Sequence, residues 1–108
     1  MENKDYESIS FELISKSGSA FSLLVEALMN VRNGNYEVED IISQAKALMD
    51  EAHNMQTRLV TQEAQGNALK MGVLLVHAQD HLMNCVLMFT IVEEFIQMYK
   101  EMRGIKDE

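Results

Sequence analysis

The chain has 108 residues, 9 Lys and Arg against 17 Asp and Glu, a net charge of -8, no Pro, no Trp and a single Cys. That length fits one domain spanning 1–108, and 47% hydrophobic with 24% charged residues excludes a disordered chain, as the lone Cys85 excludes an internal disulfide. The acidic balance argues against nucleic acid and anionic membranes as partners, since both recruit Lys and Arg.

The opening Met1 to Tyr6 is polar and acidic where a signal peptide needs a basic and then an apolar region, so a cytoplasmic location is expected. No proline interrupts the chain, and long helices are therefore allowed. Ile9, Leu13, Ala20, Leu24, Leu28 and Val31 recur at spacings of three, four or seven, which predicts a helix over 6–32. Asn33-Gly34-Asn35 tolerates left-handed backbone and stops it, while Glu37, Glu39 and Asp40 place negative charge where the next helix dipole is positive. Val38, Ile41, Ile42, Ala45, Leu48, Ala52, Met55 and Leu59 then predict a second helix over 36–64, with Glu39, Lys46, Asp50, Glu51, Asn54 and Arg58 mostly on its other side.

After a turn at Gly66-Asn67, a third helix is predicted over 68–103, roughly 35 residues and about 50 Å long. Its apolar residues cover every side, and a helix apolar all round must be buried all round. His77, Gln79, Asp80, His81 and Asn84 interrupt it, and the longest unbroken apolar run is 85–89, far short of the roughly 20 residues of a membrane span. Two helices of the same chain can cover only part of such a surface, so the remainder must face another copy or another protein. The expected fold is all-α, an antiparallel three-helix bundle that oligomerises through its third helix. The methionines are expected to fill gaps in the core.

His77, Asp80, His81 and Asn84 fall at i, i+3, i+4 and i+7, one polar stripe on an apolar helix. Buried without partners, two imidazoles and a carboxylate would each cost about 1–3 kcal/mol or more, so something must compensate them. Metal binding, register fixing and catalysis all remain open at this point. Metalloprotease chemistry is disfavoured because Ala78 stands where H-E-x-x-H has its Glu. Cys85 lies in an apolar run that disfavours its thiolate, and no phosphate-cradling glycine motif occurs. What remains is an imidazole near a partner surface without a nucleotide site. Imidazole ordinarily titrates near about 6.5, so a lone pair is free near neutral pH and nucleophilic transfer of a phosphoryl group is available to it.

The run Leu74-Leu75-Val76-His77-Ala78-Gln79-Asp80-His81-Leu82-Met83 resembles the active-site segment of the lactose/cellobiose-specific IIA proteins of the bacterial sugar phosphotransferase system (PTS). Ile14 to Gly18 with Glu26-Ala27-Leu28 resembles the first helix of that family. Glu51-Ala52-His53, Gln56-Thr57 and Gln62 to Gly66 resemble its second helix and turn. Asn84 departs from the Thr of many relatives, which touches hydrogen bonding near the site and not the reaction. The resemblance implies a homotrimer with a nine-helix core and the third helices about its axis. It implies that His77 takes a phosphoryl group from phospho-HPr, on Nε2, and passes it to a Cys of the cognate IIB component, the sugar being phosphorylated during import. It implies that Asp80 from each of three subunits binds one Mg²⁺ at the threefold axis. Gln79, about 200° around the helix from His77, would assist only across a subunit boundary, and His81 either positions His77 or a bound phosphate by hydrogen bonding or belongs to the core. Met side chains with Gly18, Ser19 and Ala20 are expected to offer a docking surface. The sugar is assigned by no residue, although the reading leans to cellobiose-type diglucosides. The reading from a different class is a non-catalytic oligomerisation module whose polar stripe binds a metal or sets register.

Overall fold

In the computed structural model, the described residues, 3–67 and 71–105, form three helices: α1 over Asn3–Arg32, α2 over Glu39–Ala64 and α3 over Val73–Met102. All three end alike. Gly34, Gly66 and Gly104 take φ of 95°, 88° and 72°, and the amides on and after each return to the last turn. At the end of α1, Gly34 N–H donates to the Val31 carbonyl at 3.0 Å and Asn35 N–H to the Asn30 carbonyl at 2.8 Å. This paired closure satisfies carbonyls that a helix end leaves free, and it needs left-handed backbone at the glycine. The stops predicted at Asn33-Gly34-Asn35 and Gly66-Asn67 therefore stand where the sequence puts them.

The starts differ more. α1 begins three residues before Tyr6, which is itself buried. α2 begins at Glu39 and not at Tyr36, because local bonds occupy the intervening backbone. Glu37 N–H donates to Asn35 Oδ1 at 3.2 Å and Val38 N–H to the Tyr36 carbonyl at 3.1 Å. Such side-chain and tight-turn bonds compete with helical ones. For α3, Ala68 to Lys70 of the predicted span lie outside the described residues. Met71 precedes the helix and Gly72 is its extended N-cap at φ -149°, ψ 168°, a break consistent with glycine's low helix propensity.

α1 is the central element. Tyr6, Ser10, Leu13, Ser17, Ala20, Leu24, Ala27 and Val31 are buried along its whole length, and it packs against both other helices, which meet each other only lightly. One core cluster joins Leu13 to Met55, Leu59, Leu75 and Leu82; the other joins Leu24 and Val31 to Ala45, Cys85 and Val92. The pairing places α1 and α3 parallel with α2 antiparallel, in a rod of 53 × 21 × 19 Å. Of the predicted core, Ile9, Leu28, Ile41, Ile42 and Leu48 are half-buried and the rest buried.

α3 is two-faced. Leu75, Ala78, Leu82, Cys85, Val92 and Ile96 are buried against the bundle. Val76, Met83, Leu87, Ile91, Phe95 and Met98 stand exposed, Leu87 to 60% and Phe95 to 43%. At 100° per residue the two stripes lie about 180° apart. By length and composition α3 is apolar enough to cross a membrane, yet Asp80, Asn84 and Glu94 divide its outward stripe. The expectation that methionines fill the core is corrected: Met29, Met71, Met83, Met98 and Met102 are exposed, and Met55 alone among the described methionines is buried. The excess apolar surface that the sequence assigns to α3 lies on its outer face, which neither α1 nor α2 covers.

Candidate functional site

His77, Asp80, His81 and Asn84 sit in the first half of α3, and the single stripe read from the sequence divides into two rows. In one, His77 Nε2 and His81 Nε2 are 3.1 Å apart, with ring centroids at 4.5 Å and planes at 88°. In the other, Asn84 Nδ2 donates to Asp80 Oδ2 at 3.5 Å. Both are i,i+4 pairs, the spacing at which side chains on successive helical turns meet. His77, Asp80 and Asn84 are exposed, and His81 is half-buried. The expectation of a buried stripe in need of compensation is thus corrected for the single chain: water reaches all four residues, His81 least, because the stripe occupies the outer half of α3.

Two imidazole nitrogens at 3.1 Å form a hydrogen bond only if one bears the proton and the other a lone pair. The pair therefore holds a nucleophilic nitrogen at an exposed position, which is the chemistry a phosphoryl acceptor needs. Asp80 lies about 60° around the helix from His77, in the middle of the outward apolar stripe. Its carboxylate oxygens are hard donors of the kind that suit Mg²⁺. Among the described residues, however, no group of three or more His, Cys, Asp or Glu gathers in one chain to hold a metal.

The other candidates separate cleanly. Gln79 is half-buried and about 200° around the helix from His77, so it does not join the pair within one chain. His53 is exposed on α2, its carbonyl accepting from Thr57 Oγ1 at 3.0 Å. Cys85 is fully buried, and burial pushes its thiol above its ordinary value, so the reading of Cys85 as core stands. Ala20 is fully buried as well. It is removed from the expected docking surface because it belongs to the core cluster between the helices, while Ser19 stays exposed. Asn84 gains in Asp80 a partner that the sequence reading does not assign. The i,i+4 offset from Asp80 is the signal for one.

Residues 8–100 match the family model described as PTS system, Lactose/Cellobiose specific IIA subunit. The lactose-specific EIIA component of Streptococcus mutans serotype c is 35% identical over 101 residues, covering 93% of this chain and 97% of that protein. The crystal structure of the cellobiose-specific enzyme IIA from Bacillus anthracis superposes with a TM-score of 0.88 at 40% identity, over 96% of this chain and 94% of that one. The IIA(chitobiose) of Escherichia coli, solved in complex with HPr, gives a TM-score of 0.78 at 31% identity over 95% and 99%. Fold, length and sequence agree over nearly the whole chain, which belongs to the lactose/cellobiose-specific IIA family of the sugar phosphotransferase system.

Proposed function

We propose that this chain is a cytoplasmic phosphoryl carrier: His77 accepts a phosphoryl group from phospho-HPr and yields it to the cysteine of a cognate IIB component, for uptake and phosphorylation of a disaccharide. The observation that carries the reading is the exposed His77 imidazole, held by its neighbour with one nitrogen lone pair in play. The solved complex of the chitobiose relative with HPr supports HPr as the donor. Transfer between two protein nucleophiles asks of the carrier positioning and charge stabilisation rather than a deep pocket. A narrow helical rod with an exposed nucleophile meets that requirement.

The carrier is a homotrimer in this reading. Its three α3 helices bury their outward stripes on one another, which removes Leu87, Ile91 and Phe95 from water and brings three Asp80 carboxylates together. Like charges at 4 Å repel by about 4 kcal/mol at an effective dielectric of 20, so a cation is required there or the carboxylates must take up protons. The three Asp80 carboxylates would hold one Mg²⁺, which supplies charge neutralisation at the axis and no chemistry at His77. Gln79 reaches the phosphoryl site only from a neighbouring subunit. Chelation is expected to lower the melting temperature of the trimer, and an unchanged melting temperature after verified metal removal would contradict the metal site.

The test of function is intact mass after incubation with enzyme I, HPr and phosphoenolpyruvate. The chain is expected to gain the mass of one phosphoryl group, to lose it in acid but not in alkali as a P–N bond does, and to lose it on addition of IIB. Absence of any gain with every HPr tried would favour the non-catalytic module.

A further inference from the structure

We infer that His81 is a positioning residue for His77: its Nε2–H holds the His77 lone pair on Nε2, and the same N–H turns to a phosphoryl oxygen once His77 is charged. This rests on His77 being the acceptor. The contact joins Nε2 to Nε2 at 3.1 Å, so the proton between the rings belongs to one of them. If His77 donated, its Nε2 would carry hydrogen and its lone pair would sit on Nδ1, beside Cβ and the helix backbone, where an incoming donor protein meets the most crowding. If His81 donates, His77 keeps its proton on Nδ1 and presents the lone pair at Nε2, the outer corner of an exposed ring. Only this second arrangement places a nucleophile where another protein can reach it.

The short distance also requires the rings to move. No phosphoryl group fits between nitrogens 3.1 Å apart, so the two imidazoles must part during transfer. His81 is half-buried and His77 exposed, so His77 is the ring that swings. Its Nε2 lone pair forms the new N–P bond while the phosphorus–donor bond breaks and its electron pair leaves with the donor. The Nδ1 proton stays on the imidazole, and no other proton moves. The N–H of His81, released from the lone pair, then faces the oxygens of a dianionic group, and a hydrogen bond to such an acceptor is stronger than the one given up.

The tautomer of His77 tests this without any phosphorylation. In two-bond ¹H–¹⁵N NMR spectra of the intact protein, His77 is expected as the Nδ1–H form, and His81→Ala should move it toward Nε2–H. His81→Gln, which keeps an N–H donor, should restore the wild-type pattern. With phospho-HPr, His81→Ala should accept the phosphoryl group about tenfold or more slowly, the loss of one hydrogen bond to a charged group, and His81→Gln should recover most of the rate. A His77 that is Nε2-protonated in the wild type, or a His81→Ala protein unchanged in tautomer and rate, would overturn the proposal. A wild type that keeps the Nδ1–H form yet takes no phosphoryl group would sink the carrier reading, and the positioning role with it, and leave only the hydrogen-bond direction between the two rings standing.

Discussion

Arg103 closes one end of the bundle with a single side chain. Its Nη1 donates to the Val31 carbonyl at 2.9 Å and to Tyr36 Oη, and Nη2 donates to the Arg32 carbonyl at 2.9 Å. Its guanidinium carbon also lies 5.7 Å from the Tyr36 ring centroid and 5.3 Å from that of Tyr99. Val31 and Arg32 end α1, so a residue just past the end of α3 caps a helix other than its own. The planar fork that reaches two carbonyls while lying against aromatic rings is a property of Arg that Lys lacks. Arg103→Ala is expected to lower stability by about 1–2 kcal/mol in urea unfolding, and Arg103→Lys to recover only part of it. An Arg103→Lys protein as stable as wild type would contradict the fork. None of this was legible in the sequence, where Arg103 stands some seventy positions from its partners. By contrast, the His77–His81 contact was legible as a spacing, because helical geometry brings residues four apart together. Its direction through Nε2 was not.

At the scale of the helix, periodicity identified α1 and α2, and the all-round apolar character of α3 pointed to a second buried face. The order of the bundle was hidden. Ser10 and Ser17 carry no hydrophobic signal, yet both are buried, because small side chains let helices approach, and they complete the stripe that makes α1 central. The start of α2 was hidden too, since Asn35 and Tyr36 spend their hydrogen bonds in the turn. The two faces of α3 make opposite predictions for one substitution. Leu82→Lys buries an unpaired charge at a fully buried site and should unfold the bundle, at a cost of several kcal/mol. Leu87→Lys, on the exposed stripe, should leave the helical circular dichroism of the protomer intact and abolish assembly in sedimentation equilibrium. A trimer that tolerates Leu87→Lys would contradict the packing assigned to the outward face.

For the whole molecule, the net charge of -8, the narrow rod and the outward stripe on α3 fit one account. The protomer is incomplete in area rather than in fold. Its three helices close a core around α1, and the surface left over lies beside the two histidines, so in the proposed reading assembly and phosphoryl transfer share α3. The claim most exposed to test is that His77 is the phosphoryl acceptor. His77→Ala deletes the nucleophile from an exposed position, so the fold and assembly should be unchanged. The measurement is the intact mass of wild type and His77→Ala after identical exposure to phospho-HPr. The account predicts one added phosphoryl group on the wild type and none on the variant, and a phosphorylated His77→Ala protein would contradict it.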